Sequence, residues 1–236
     1  VHSVPVRERR TRSWPDWVSG PLRTRLEERG VPAPYAHQVE AAQLAHDGRH
    51  VVVATGTASG KSLAYQLPAL SRLAEDPRAC VLYLAPTKAL ARDQLASVAA
   101  LADPSVRPAA YDGDTPGEER DWVRRHSRWI VTNPDMLHRG ILPAHQKWSS
   151  TLRRVAYVVI DECHAYRGVF GSHVGHVLRR LRRVAELHGA SPTFVLASAT
   201  VASPAAHASA LIGRPVTAVT QDGSPRRALT FGLWRP

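Results

Sequence analysis

The sequence predicts an α/β fold with a mostly parallel central sheet and helices on both faces of that sheet. Three observations predict it. Short runs of almost wholly apolar residues recur along the chain, and helical patterns separate these runs. The chain has 236 residues, of which 44% are apolar, and this length suffices for one large domain but is short for two. Parallel strands buried on both faces have such continuous apolar runs, and the helices that connect them cover the sheet.

The predicted elements alternate along the chain. Two helical patterns come first, at residues 17–29 and 37–46, separated by the helix-breaking stretch Gly-Val-Pro-Ala-Pro at residues 30–34. Apolar, β-prone runs predict strands at residues 51–54, 80–85, 106–111, 129–132, 155–160, 193–197 and 216–219. Apolar positions at helical spacing predict helices at residues 61–74, 88–101, 117–125, 172–187 and 204–212.

The two ends of the chain differ from the rest. Residues 1–15 are polar, rich in arginine and interrupted by Pro5 and Pro15, which predicts a flexible N-terminal arm. Residues 222–236 are polar and contain proline, which predicts a linker, although residues 228–233 have the pattern of the start of a strand. The folded domain is therefore expected at residues 16–221.

The composition limits the classes of partner and of cell compartment. A net charge of +11 suits a polyanionic partner, because lysine and arginine release counterions when they neutralise phosphates, although an arginine-rich composition can also reflect a GC-rich genome. No apolar run reaches the roughly 18 residues of a membrane span, and the N-terminus lacks the apolar core of a secretion signal. Cys80 and Cys163 are far apart, which predicts an intracellular, reduced protein with neither zinc nor disulfides.

A glycine-containing loop follows the predicted strand at residues 51–54. It consists of Thr55, Gly56, Thr57, Ala58, Ser59, Gly60, Lys61 and Ser62. Backbone N–H groups between a strand and a helix can face a phosphate, with Lys61 reaching the β- and γ-phosphates of a nucleotide and the Ser62 hydroxyl holding Mg²⁺. Thr55 departs from the GxxxxGKS/T pattern, which has glycine there. The alternative is a plain turn before a lysine, but the flanking strand and helix favour a nucleotide site.

Two carboxylates follow the apolar strand at residues 155–160. Asp161 would bind Mg²⁺ through water and Glu162 would orient and deprotonate an attacking water, since carboxylates at the end of one strand can face a phosphate loop on a neighbouring strand. A strand end with solvated acids is the alternative for an isolated Asp-Glu pair. Together with the loop, the pair predicts an ATPase site with Lys61, Asp161 and Glu162 as its catalytic residues.

The order of these and further motifs resembles the first, RecA-like motor domain of superfamily 2 DExH helicases. The resemblance covers residues 33–220 and rests on Gln38, the phosphate loop, Ala-Pro-Thr-Lys-Ala-Leu at 85–90, Thr-Asn-Pro-Asp at 132–135, Asp-Glu-Cys-His at 161–164 and Ser-Ala-Thr at 198–200. Within the superfamily, residues 54–62, 133–138 and 166–173 are most similar to a RecQ4-related group of bacterial DNA-repair helicases, in which Thr55 and Ala58 are normal loop residues.

The resemblance implies the cofactors ATP and Mg²⁺, with the metal held by Ser62 and Asp161. Tyr35 and Gln38 would contact adenine. A third group would couple the state of ATP to movement along the strand, and it consists of His164, Ser198 and Thr200. Taken alone, a histidine after a strand is more often structural, and Ser-Ala-Thr could be a helix cap.

The resemblance also implies contacts to the backbone of a nucleic acid. The residues concerned follow the ends of predicted strands, and they are Pro86, Thr87, Lys88, Gly113, Asp114, Thr132 and Asn133. Contacts to phosphate and sugar predict little dependence on base sequence. For Gly113 and Asp114 a plain turn is the alternative.

The activity that the resemblance implies is that of an ATP-dependent DNA helicase or translocase. It would bind single-stranded DNA, move 3′ to 5′ in DNA repair, and lie in the cytoplasm, associated with the nucleoid. Superfamily 2 motors hydrolyse ATP between two domains, so residues 222–236 would lead to a second motor domain of the same parent chain, and residues 16–221 alone would be weakly active or inactive. An RNA helicase, a restriction-type DNA translocase and a nucleotide-gated nucleic-acid-binding module are the alternatives.

Overall fold

The computed structural model describes residues 2–232, which form a seven-stranded sheet flanked by helices and a separate two-stranded sheet. The strands are β1 (His2–Val4), β2 (Val51–Ala54), β3 (Cys80–Leu84), β4 (Ala109–Ala110), β5 (Trp129–Thr132), β6 (Val155–Ile160), β7 (Thr193–Ser198), β8 (Thr217–Val219) and β9 (Leu229–Phe231). The helices are α1 (Gly20–Glu28), α2 (Ala36–His46), α3 (Ser62–Glu75), α4 (Lys88–Leu101), α5 (Gly117–His126), α6 (Pro134–Met136), α7 (Ser149–Leu152), α8 (Gly168–Leu187) and α9 (Pro204–Ile212). Further short helical segments lie at Pro104–Val106, Leu137–Ile141 and Cys163–Ala165.

The larger sheet has the strand order β4-β5-β3-β6-β7-β2-β8, and its pairings are parallel. This confirms the predicted α/β fold. Strands β2, β3, β5 and β7 are buried along their whole length, as continuous apolar runs predict for a parallel sheet covered on both faces. Within residues 2–232, no helix combines the length and the apolar character that crossing a membrane requires.

Two apolar layers cover the sheet, because successive side chains of a strand face opposite sides. Val51 and Val53 of β2 pack in the layer that contains buried residues of α2, α3 and α4. Val52 packs in the other layer, with Leu178 of α8 and Ile212 of α9. Burying a leucine or isoleucine side chain contributes about 1.5–3 kcal/mol, so these layers fix the position of the strand ends that carry the site.

The strand predicted at residues 106–111 is shorter in the structure, where only Ala109 and Ala110 form β4. Val106 ends a helical turn, and Arg107 has a left-handed backbone with φ 49°. Pro108 has no N–H to donate to a neighbouring strand. The apolar character of this run is therefore not enough to make a long strand.

The N-terminal segment predicted as a flexible arm at residues 1–15 has hydrogen-bonded partners in the structure. β1 pairs antiparallel with β9. Farther along, the Arg7 N–H donates to the Arg226 carbonyl at 2.9 Å, and the Arg10 N–H donates to the Gly223 carbonyl at 2.9 Å. Composition could not reveal these partners, because they lie at the far end of the chain. Residues 1 and 233–236 are outside the described residues, and the linker at 222–236 stays a prediction.

Candidate functional site

The predicted site residues gather at one edge of the sheet, where the parallel strands have their carboxyl ends. β2 leads into the phosphate loop, β3 into Pro86, β5 into Asn133 and β6 into Asp161, while β7 ends at Ser198. β7 lies between β2 and β6, so one strand separates the phosphate loop from the acidic residues, which are not on neighbouring strands as expected. Ligands of open α/β sheets bind at this edge.

The phosphate loop is closed by its own side chains. Thr55 Oγ1 and Ser59 Oγ are 2.7 Å apart and share a hydrogen bond. Ala58 (φ 59°) and Gly60 (φ 74°) turn the backbone through the left-handed region. Thr55, which replaces the expected glycine, therefore has a role of its own in holding the loop closed.

Lys61 lies folded over the loop. Its Nζ donates to the carbonyl oxygens of Gly56 at 3.0 Å and Thr55 at 3.4 Å. Hydrogen bonds between two charged groups are shorter and stronger than bonds from a charged donor to a neutral carbonyl. The phosphates of a nucleotide would therefore be stronger partners for the Lys61 ammonium group than these two carbonyls.

Gln38 holds the end of the phosphate loop. Its Nε2 donates to the Gly60 carbonyl at 2.7 Å and its Oε1 accepts from the Tyr35 N–H at 2.7 Å. A Cβ at Gly60 would lie 2.5 Å from Gln38 Nε2, so this close approach and the positive φ both favour glycine. A carboxamide has a second N–H and a second oxygen lone pair, which are the groups that Gln38 could still offer to adenine.

His37, which sequence reasoning missed, holds the same loop. The imidazole is fully buried, its Nε2 lies 3.1 Å from the Ser59 carbonyl oxygen, and its Nδ1 accepts from the Gly223 N–H at 3.1 Å. This pattern requires the neutral tautomer with hydrogen on Nε2, and burial lowers the pKa of His37 in keeping with it. The only signal in the sequence was its position beside Gln38.

Asp161 is held in place by two hydrogen bonds at the end of β6. It is 7% exposed, its Oδ2 accepts from the Tyr83 hydroxyl, and its Oδ1 accepts from the Glu162 N–H at 2.9 Å. Burial, with the nearby Tyr65 and Asp161, raises the pKa of Tyr83, so the hydroxyl stays protonated and donates. Tyr83 was missed in the sequence because it lies within an apolar strand and reads as a core residue.

Glu162 is more open than its neighbour, with a side chain that is 32% exposed. Its backbone has φ 47°, a left-handed conformation that residues with a side chain seldom adopt and that clusters at functional sites. After this turn the Asp161 side chain is buried, whereas the Glu162 side chain is partly exposed. Glu162 Oε2 lies 3.1 Å from His164 Nδ1, at the surface of the site.

A backbone amide connects the Ser-Ala-Thr segment at residues 198–200 to the acidic motif. The Ala199 N–H donates to His164 Nδ1 at 3.2 Å. Ser198 is the buried last residue of β7, and its hydroxyl donates to the Ala199 carbonyl at 2.7 Å. Among the hydrogen bonds of residues 2–232, neither Ser198 nor Thr200 bonds His164 or the two carboxylates, and the coupling role of their hydroxyls stays a prediction.

Most of the residues predicted to contact nucleic acid line one cleft of about 260 Å³, beside the acidic motif. They are Pro86, Thr87, Lys88, Thr132 and Asn133. Thr87 Oγ1 accepts from the Leu90 N–H at 3.4 Å and Asn133 Oδ1 from the Met136 N–H at 2.8 Å, so both cap helix starts. The Thr132 hydroxyl is buried and donates to the Tyr111 carbonyl at 2.6 Å. These three side chains are therefore engaged in the local structure of the cleft, whereas Lys88 brings an exposed ammonium group to it.

Gly113 and Asp114 lie outside that cleft, in an exposed turn after β4. The Asp114 N–H donates to Asp112 Oδ1 at 2.9 Å, which is the hydrogen bond of a local turn. The Asp114 carboxylate pairs with the Lys88 ammonium group, and both side chains are mostly exposed.

The sequence profile of DEAD/DEAH box helicases matches residues 35–208, which include the phosphate loop, the acidic motif and Ser-Ala-Thr. The chain belongs to the DEAD/DEAH box helicase family. It is 42% identical over 238 residues to the uncharacterized ATP-dependent helicase YprA of Bacillus subtilis, covering 100% of this chain and 32% of YprA. It is also 42% identical over 210 residues to the ATP-dependent helicase HRQ1 of Saccharomyces cerevisiae, covering 86% of this chain and 20% of HRQ1.

Solved structures of helicases share the fold of this DEAD/DEAH box domain. The crystal structure of the helicase MrfA bound to DNA has a TM-score of 0.93 and 42% identity, covering 96% of this chain and 31% of that one. The helicase Mss116 bound to single-stranded RNA, at 16% identity and a TM-score of 0.74, shows a common fold alone. The predicted assignment to a superfamily 2 helicase motor domain is confirmed. The chain spans about a third or less of the length of the curated relatives YprA and HRQ1.

Proposed function

We propose that this DEAD/DEAH box domain is the first motor domain of an ATP-dependent DNA helicase or translocase. The observation that carries the proposal is the arrangement at one sheet edge, which holds Lys61, Asp161 and Glu162 and also the cleft at the ends of β3 and β5. Lys61 would bind the β- and γ-phosphates, and Glu162 would orient and deprotonate the attacking water. His164 and Ala199 connect the acidic motif to β7, which gives ATP binding a route to the rest of the domain.

Ser62 and Asp161 are the residues that would hold Mg²⁺. This ion keeps several waters and usually binds one or two protein groups together with substrate phosphates, and it supplies positive charge that neutralises those phosphates. Among residues 2–232, no group of three or more His, Cys, Asp or Glu side chains is arranged to hold a metal ion. Tyr65 of α3 packs against Tyr83, with ring centroids 5.7 Å apart, and the Tyr83 hydroxyl donates to Asp161. The start of α3 and the Asp161 carboxylate are therefore on the same side of the sheet.

Tyr83→Phe is expected to raise the Mg²⁺ concentration for half-maximal ATP turnover by about tenfold, since groups that orient a metal ligand affect metal affinity on that scale. The substitution removes only the hydroxyl that donates to Asp161. Tyr157→Phe is the control, because it removes another buried hydroxyl, bonded to the Ala45 carbonyl at 3.3 Å. A Mg²⁺ titration of ATP turnover in the full-length protein checks this, and equal Mg²⁺ dependence in the two variants would contradict it.

The proposal includes a second motor domain of the same parent chain. Motors of this class hydrolyse ATP between two domains, and the second supplies an arginine that stabilises the charge developing on the transferred phosphate, an effect worth about 10³–10⁵ in rate. Support comes from the relatives, of which this chain covers 32% and 20%. Residues 16–221 alone would then bind ATP with Mg²⁺ weakly and hydrolyse it poorly.

Single-stranded DNA is the proposed partner, through contacts to its backbone. The support for DNA over RNA is MrfA, 42% identical, whose crystal structure contains DNA. The 3′-to-5′ direction, the role in DNA repair and a cytoplasmic, nucleoid-associated location belong to the same proposal, because a repair motor acts on chromosomal DNA. Backbone contacts also predict that turnover depends little on base sequence.

ATP turnover by the full-length protein is expected to rise with single-stranded DNA and far less with RNA of the same sequence. Measuring the rate at one salt concentration for both strands checks this, since phosphate contacts depend strongly on salt. An equal rise with RNA would favour the RNA helicase alternative. A rise that requires duplex DNA would favour the restriction-type translocase.

A further inference from the structure

Two residues outside the predicted domain boundaries are linked to the phosphate loop. The Asp222 side chain is 9% exposed, and its Oδ2 accepts from the Gly56 N–H at 3.3 Å. The same oxygen accepts from the Arg7 guanidinium at 2.7 Å. A Cβ at Gly56 would lie 3.2 Å from Asp222 Oδ2, so the carboxylate is in close contact with the loop backbone.

The Asp222 carboxylate is fully satisfied in this position. Its Oδ1 accepts from the Ser224 N–H at 2.9 Å and from the Ser224 hydroxyl at 2.7 Å. Arg7 also donates to the Ser224 carbonyl at 2.6 Å, which fixes the guanidinium beside the carboxylate. Burial alone would raise the pKa of Asp222, but the Ser224 hydrogen bonds and the Arg7 charge outweigh it and hold that pKa below its usual range. The Asp222 carboxylate is therefore ionised at neutral pH.

The next residue, Gly223, provides a second link to the same loop. Its N–H donates to His37 Nδ1 at 3.1 Å, and His37 Nε2 bonds the Ser59 carbonyl at 3.1 Å. Its carbonyl accepts from the Arg10 N–H at 2.9 Å, and a Cβ at Gly223 would lie 2.9 Å from the Arg10 carbonyl oxygen. The stretch at residues 222–224 is thus held between the N-terminal segment and the phosphate loop.

We propose that Arg7 and Asp222 are positioning residues for ATP binding. Gly56 comes just before the loop residues that would face the phosphates, and Asp222 fixes its amide, so the loop is held in its binding conformation before ATP arrives. Preorganisation of this kind favours binding because less freedom is lost on association. Arg7 has a second effect. Its positive charge compensates the negative charge of the Asp222 carboxylate, which would otherwise repel the negatively charged triphosphate.

The inference rests on the proposed nucleotide site, and binding of a non-hydrolysable ATP analogue with Mg²⁺ to the full-length protein, measured by calorimetry, tests it. Arg7→Ala is expected to raise the Kd about tenfold, because it leaves the buried Asp222 charge without its partner. The double variant Arg7→Ala with Asp222→Asn is expected to recover part of that loss, since asparagine has no charge and can still accept from the Gly56 N–H. Arg23→Ala, which breaks an exposed pair with Glu27 (2.7 Å), is the control and is expected to leave the Kd unchanged.

The outcomes separate positioning from simple stabilisation. Thermal unfolding of each variant is measured alongside, and recovery of affinity in the double variant without recovery of melting temperature supports the inference. A double variant that binds as weakly as Arg7→Ala, or an Arg7→Ala variant that binds as tightly as the parent, overturns it. Lys61→Ala in the same assay tests the nucleotide site itself. Unchanged binding in that variant would contradict the proposed function as well as the inference about Arg7 and Asp222.

Discussion

Glu162→Gln lowers the kcat of ATP hydrolysis by about 10²–10⁴, the usual contribution of a general base, while the affinity for ATP stays close to that of the parent protein. Glutamine has nearly the same shape as glutamate and can still hydrogen-bond a water molecule, but it cannot take its proton. The result is measured as steady-state phosphate release and as nucleotide affinity, both in the full-length protein with single-stranded DNA present.

The geometry supports an effect on kcat rather than on binding. Glu162 lies in a left-handed turn after β6, with a side chain that is 32% exposed, whereas Asp161 is buried and engaged with Tyr83. Within residues 2–232, Glu162 pairs with His164 and forms no hydrogen bond or ion pair with the phosphate loop. Its removal therefore leaves the groups that would bind ATP, such as Lys61 and Gln38, in place.

Glu118→Gln is the matched control, since Glu118 is an exposed carboxylate in the first turn of α5. Its turnover should equal that of the parent protein. If Glu162→Gln also leaves turnover unchanged, the residue is not the base. The alternative of a nucleotide-gated module that binds nucleic acid without hydrolysis would then gain support.

Much of the site could be predicted from the sequence because its residues follow apolar strands of a parallel sheet. Such a sheet brings the carboxyl ends of its strands to one edge, so Lys61, Asp161 and Asn133 are placed near one another once the strands are recognised. The strand order was not predictable in the same way. Apolar runs do not say which strands are neighbours, and β7 proves to lie between β2 and β6.

The residues that hold the site in place could not be found from local patterns. Arg7 and Asp222 are 215 positions apart, and each lies in a polar stretch that composition assigns to a chain end. Tyr83 is buried in β3 among apolar residues and is distinguished only by the carboxylate it meets. Contacts of this kind follow from tertiary packing, which places a polar group opposite a buried partner regardless of sequence distance.

Lys61→Ala is expected to raise the Kd for ATP by about 10²-fold or more, because it removes the charged donor that would bind the β- and γ-phosphates. Calorimetry with a non-hydrolysable ATP analogue measures the effect. Lys147→Ala is the control, since Lys147 is an exposed lysine far along the chain. Equal affinities for the two alanine variants would contradict the assignment of residues 55–62 as a phosphate loop.

Lys61→Arg separates the charge of the side chain from its shape. The Lys61 ammonium group fits within 3.0 Å of the Gly56 carbonyl and 3.4 Å of the Thr55 carbonyl, inside the turn of the loop. A guanidinium group is planar and larger, so it keeps the charge but does not fit that turn in the same way. We therefore expect Lys61→Arg to bind ATP nearly as poorly as Lys61→Ala. If arginine restored the affinity, positive charge near the loop would be sufficient, and the folded-over lysine geometry would have no special part in binding.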